Sequence, residues 1–145
     1  MHQIPTDLRI YDETETGHIN TVLPKIISNI DKILQHPSVN AFMIGTTDYP
    51  YERFSHYISE FDNRETLLIP DIMIVLYRTS SLSYCRDVES VLIHHYRQHQ
   101  CIINSEGAGK GKIGHDPPYY LYMIVEFTED GANSFKSWIK SNYSF

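Results

Sequence analysis

The sequence predicts an α/β domain: a small central sheet of three to four strands flanked by helices. Three observations carry this. Residues 72–77 (Ile-Met-Ile-Val-Leu-Tyr) are apolar at both alternating positions, as in a central strand covered on both sides. Apolar residues between 19 and 34 recur at three- and four-residue steps, the mark of an amphipathic helix. Residues 119–127 (Tyr-Tyr-Leu-Tyr-Met-Ile-Val-Glu-Phe) join aromatic and β-branched side chains in a second strong strand. At 145 residues and 41% hydrophobic content the chain suits one domain with its own core and is short for two.

The elements follow in order. Residues 1–18 are polar, with Asp12, Glu13 and Glu15 in an acidic run, and predict a flexible acidic arm ahead of a single domain over 19–145. The first helix turns Ile19, Val22, Leu23, Ile26, Ile27, Ile30, Ile33 and Leu34 inward, with Pro24 near its first turn and Pro37 beyond its end. A strand over 39–45 leads through Asp48-Tyr49-Pro50 into a helix over 51–61 that buries Phe54, Tyr57, Ile58 and Phe61. After the strand at 72–77, Ser80 to Ser83 offer caps for a helix over 84–99. A Gly/Lys loop over 105–114 runs past Pro117-Pro118 into the strand at 119–127. Thr128 then caps a last helix with Ala132, Phe135, Trp138 and Ile139 inward.

Charge and composition narrow the function. The net charge of −6 argues against strong nonspecific attraction to nucleic acid, because phosphate contacts need a basic footprint. Its distribution softens that objection: residues 78–115 carry Arg78, Arg86, Arg97, Lys110 and Lys112 against Asp87, Glu89 and Glu106. No apolar run approaches the roughly 20 residues that span a bilayer. Met1 to Asp7 lacks a basic-then-apolar signal segment, so the expectation is an intracellular protein, cytoplasmic or nuclear, without membrane association. Cys85 and Cys101 are not spaced like metal ligands and are expected as reduced thiols.

Several residues could carry chemistry. Glu89 lies one helical turn from Cys85, Leu92 and Ile93 on a largely apolar face, where a carboxylate must find a cation or a hydrogen-bond donor. It either snorkels outward, pairs with Arg53 or Arg86, or holds a metal ion. Arg53 and His56 sit three residues apart on the helix after Gly45, and by default both are surface residues. Glu106 to Lys112 lacks the GxxxxGK[ST] spacing, which excludes a P-loop; its glycines permit a tight path, and Lys110 and Lys112 could touch a polyanion. His95 and His99 stand four apart without an HExxH motif, so surface histidines are the better reading than zinc ligands.

Taken in order, Phe42-Met43-Ile44-Gly45, Arg53, His56, Glu89 and Asn104, with the apolar strand between the two halves, resemble the GIY-YIG nuclease superfamily over about residues 39–125. The resemblance implies metal-dependent phosphodiester hydrolysis of DNA or RNA. Glu89 would hold one divalent ion, Mg²⁺ or Mn²⁺; Arg53 would stabilise charge on phosphorus; His56 would position water or bind phosphate; and Asn104 would organise the site. The family's opening Gly-Ile-Tyr strand has no counterpart ahead of Met43, which itself stands where the second motif has tyrosine. The strand carrying Tyr120 and Tyr122 has the look of that opening strand moved to the other end of the domain. Such a circular permutation would run it beside 42–45 and bring Tyr120 or Tyr122, on one face by the two-residue strand period, to Arg53 and Glu89 as proton acceptor. Otherwise both tyrosines fill the core or its edge, since tyrosine favours strands in any case. The alternative function is an inactive module of the same fold that holds nucleic acid or a protein partner through Arg53, His56, Arg78 and the lysine loop.

Overall fold

Seven elements follow along the chain: β1 (Ile10–Thr16), α1 (Ile19–Leu34), β2 (Val39–Thr47), α2 (Pro50–Asp62), β3 (Ile72–Thr79), α3 (Leu82–His95) and β4 (Tyr119–Phe127). The computed structural model describes residues 10–63, 68–103 and 116–128. The helix expected after Thr128 and the loop expected over 105–114 lie outside those residues.

The strands form one mixed sheet in the order β1-β3-β4-β2. β1 runs parallel to β3, and β4 is antiparallel to both of its neighbours. β1, β2 and β3 therefore point the same way and end at one edge of the sheet, where α1, α2 and α3 begin. This is the small helix-flanked sheet that the two-faced apolar run at 72–77 predicted, with all six of those residues buried.

Ile10–Thr16 corrects the expectation of a flexible arm over 1–18, because it is a strand paired with β3 from Ile10↔Met73 to Thr16↔Arg78. Its position explains the misleading composition. An edge strand tolerates charged side chains, which also discourage pairing with another sheet, so Asp12, Glu13 and Glu15 are compatible with strand at this place only. Elsewhere the differences are at element ends. β2 continues to Thr47, and α3 spans Leu82–His95 where 84–99 was expected. Ser81 caps α3, its hydroxyl accepting from the Tyr84 amide at 3.1 Å. His18 caps α1 in the same way, Nδ1 accepting from the Asn20 amide at 3.1 Å.

Beyond α3 the chain returns along the outer side of β2. The Phe42 amide donates to the Cys101 carbonyl at 2.9 Å, and the Ile103 amide donates to the Phe42 carbonyl at 2.8 Å, so part of the sheet edge is covered. His99 lies outside the helix and spends Nδ1 on the Cys101 amide, which separates it from His95 as a helical pair. Cys85 and Cys101 are free thiols. No helix among the described residues is long and apolar enough to cross a membrane.

The two faces of the sheet are packed differently. On one, Val22, Ile26, Ile30 and Ile33 of α1 and Cys85, Val88, Leu92 and Ile93 of α3 meet Phe42, Ile44, Leu121, Met123 and Val125 in the larger core. On the other, Phe54 of α2 packs with Ala41, Met73, Val75, Tyr122 and Ile124. Phe54 is fully buried as expected, whereas Phe61, expected inward, is 41% exposed near the end of α2.

Candidate functional site

The site begins with a missing side chain. Gly45 of β2 stands opposite Tyr122 of β4, and Tyr122 stands opposite Val75 of β3, so the three form a cross-strand row on the α2 face. The Tyr122 ring lies across Gly45: a Cβ there would come within 2.6 Å of the Tyr122 Cζ and 3.1 Å of its Cε1, with the hydroxyl nearer still. Only glycine leaves that path open.

Tyr122 thus reaches over β2 toward α2, where its hydroxyl meets that of Tyr57 at 2.8 Å. The two rings are edge to face, with centroids 6.0 Å apart. Tyr57 is one turn after Arg53, and i,i+4 residues share a helix face, so the Arg53 guanidinium sits on the side of α2 that carries the hydroxyl pair. Its charge lowers the pKa of both phenols.

Glu89 enters from α3, on the opposite face of the sheet. It is 6% exposed, so it does not snorkel outward, and its charge raises both phenol pKa values. Burial dominates both titrations. It lifts Tyr57 above 10.0 against the opposing hydrogen bond from Tyr122 and the Arg53 charge, and it lifts Tyr122 well above 10.0 with Tyr57 adding to the rise. Burial also pushes the Cys85 thiol up to about 12, with the Glu89 carboxylate adding and Arg86 opposing.

Beside burial, the charges of Arg53 and Glu89 bear in opposite senses on the Tyr57–Tyr122 hydroxyl pair. Tyr120 lies on the same face, half-buried against the same cluster, without that hydroxyl pairing. His56 is exposed and lines a separate cavity of ≈370 Å³ with Ser55, Ser59 and Asp62 on α2. Arg78 is exposed at the end of β3, opposite Tyr120. Asn104, Lys110 and Lys112 lie outside the described residues. Tyr57 was legible only as a core residue of its helix; the signal for more was its four-residue spacing from Arg53, which puts both on one face.

As a metal site the arrangement is lean. Among the described residues no three His, Cys, Asp or Glu side chains converge, so a cation here would lean on Glu89 and otherwise on water and substrate oxygens. A hard divalent ion that keeps most of its waters fits such a donor set better than zinc does. No family model, curated protein or solved structure matches the chain.

Proposed function

We propose that this domain hydrolyses phosphodiester bonds of nucleic acid with a divalent metal, in the manner its resemblance to GIY-YIG nucleases implies, from a circularly permuted arrangement of the fold. One observation supports this above the others: the Tyr57–Tyr122 hydroxyl pair at 2.8 Å lies in the fields of both Arg53 and Glu89. β4 running antiparallel beside β2, with Tyr122 against Gly45, adds to it.

The division of labour follows from the groups. The Arg53 guanidinium, charged at any working pH, offsets negative charge that grows on the phosphoryl oxygens as water attacks phosphorus. Tyr122, once its own proton has passed to solvent, holds that water and accepts its proton; burial and Tyr57 oppose that ionisation and the Arg53 charge eases it. Mg²⁺ or Mn²⁺ held by Glu89, with other ligands from water and a phosphate oxygen, would polarise the phosphoryl group and offset the charge that Glu89 sets beside the hydroxyls.

A second reading, a non-catalytic module that holds nucleic acid or a protein partner, is favoured by one specific observation. Burial keeps both phenols protonated well above neutral pH. Cleavage of supercoiled DNA and of a labelled RNA, in Mg²⁺ or Mn²⁺ and in chelator, separates the two. Metal-dependent cleavage that is lost in Glu89→Ala at unchanged circular dichroism supports the nuclease. Binding without cleavage, or cleavage that survives Glu89→Ala, supports the module or removes Glu89 from the mechanism.

A further inference from the structure

The face that carries Tyr122 continues toward a cleft at the strand ends. One row beyond Gly45, Tyr122 and Val75 lies a second row of the same face, with Thr47 opposite Tyr120, Tyr120 opposite Arg78, and Arg78 opposite Thr16. Arg78 is in this row because of an irregularity. The β3–β4 register shifts between Val75 and Tyr77, so that Tyr77 pairs with Leu121 and turns into the larger core, and Arg78 takes the place opposite Tyr120. Without the shift the regular alternation would set Tyr77 there and send Arg78 to the other face. Re-aiming one side chain is what a β-bulge beside a functional site commonly does.

Arg78 borders a cleft of ≈750 Å³ whose other described walls include Thr16, Thr79, Ser80, Ser81 and Tyr84. In a chain with 18 acidic and 12 basic side chains, none of the described residues lining this cleft is acidic. Its hydroxyls are held by local bonds: Thr79 Oγ1 accepts from the Ser81 amide at 3.1 Å, and Ser81 Oγ accepts from the Tyr84 amide and lies 3.1 Å from Ser83 Oγ. One exposed guanidinium and no carboxylate among the described lining residues select a phosphate in preference to a cation.

We propose that this cleft is a second phosphate subsite, in which Arg78 holds a backbone phosphate of the same nucleic-acid strand that is cut beside Tyr122. The subsite rests on the nuclease reading above and deepens it by fixing the substrate as a strand with an unbroken flank. Neighbouring strands are about 4.8 Å apart, so Thr47 and Arg78, two strands apart, lie about 10 Å from each other. Tyr120, between Thr47 and Arg78, gives the intervening sugar or base an aromatic surface.

The test uses the full chain, in chelator so that nothing is cut, with labelled single-stranded oligonucleotides of increasing length over a salt series. Wild type should gain affinity as the flank lengthens and then level off. Arg78→Ala should lose that gain and reduce the salt slope by about 0.7, the share of one phosphate contact on a single strand, while Arg78→Lys keeps most of the slope as a point charge. Equal slopes and equal length dependence in wild type and Arg78→Ala would overturn the subsite and leave the nuclease reading standing. Absence of oligonucleotide binding by wild type at every length would overturn both.

Discussion

The two faces of this sheet are drawn from the same four strands, yet one is closed with hydrocarbon and the other is built around a polar pair. Under α1 and α3, isoleucine, leucine, valine and methionine interlock, and the two tyrosine hydroxyls on that side serve the scaffold, Tyr77 donating to the Gly17 carbonyl at 2.9 Å and Tyr96 donating to Asp31 at 2.6 Å, with Glu89 the buried carboxylate of α3. Under α2 the apolar cluster is smaller, and a glycine is kept so that a tyrosine can cross it and meet a second tyrosine beneath an arginine. Burying a hydroxyl pair costs more than burying two phenylalanine rings unless each hydroxyl is satisfied. A face that keeps such a pair is the place to look for chemistry, and the opposite face is the place to look for stability.

If the faces divide in that way, a cavity should hurt the first most. Leu121→Ala, fully buried under α1 and α3, should cost about 2–5 kcal/mol, enough to shift the urea midpoint far or abolish the transition. Gly45→Ala on the other face should cost less, about 1–3 kcal/mol of overpacking. Adding Tyr122→Phe to Gly45→Ala should restore little of it, because the ring carbon Cζ alone would still be 2.6 Å from the new methyl. Full recovery in the double variant would mean that the ring moves freely and that Gly45 is not a positioning residue.

Much of the closed face was legible in the sequence, because periodicity reports burial directly. The three- and four-residue spacing of Val22, Ile26, Ile30 and Ile33 and the unbroken run at Ile72 to Tyr77 each name their own partners in a core. β1 was hidden for the converse reason: an edge strand with acidic side chains has no periodic apolar face to show. On the polar face Arg53 and Tyr122, with Glu89 from the other side of the sheet, could be nominated through a resemblance in order and spacing, and with them the pairing of β4 beside β2. The register that sets Tyr122 against Gly45 and Tyr57 could not be read. The shift between Val75 and Tyr77 makes the point most sharply, because two neighbouring residues exchange faces through a feature that side-chain alternation alone cannot announce. Phe61 failed for a simpler cause: near the end of a short helix, hydrophobicity does not guarantee inward direction.

Titration distinguishes the faces at a smaller scale. On the closed side the Cys85 thiol moves from 9.0 to about 12, so the unfolded chain gives up this proton first. Its contribution to stability is complete below pH 9.0 and is lost as the pH rises through the window up to about 12, and Cys85→Ala should flatten that part of the urea-midpoint profile. On the polar side Tyr57→Phe removes a neighbour that raises Tyr122, so the Tyr122 transition in ultraviolet absorbance, identified by its loss in Tyr122→Phe, should move to lower pH. A transition that stays in place would mean that the two hydroxyls are not coupled.

The dependence of cleavage rate on pH, in wild type and in Tyr122→Phe at saturating Mn²⁺, bears most directly on the polar pair as a reacting centre. Because burial holds Tyr122 above 10.0, the wild-type rate should rise about tenfold per pH unit from neutrality without a plateau below that value. Tyr122→Phe, which keeps the ring and loses the hydroxyl, should be slower by about 100-fold or more and show no such rise, at an unchanged circular dichroism spectrum. Equal rates and the same pH profile in both proteins would contradict a role for the hydroxyl pair and leave Tyr122 a core residue.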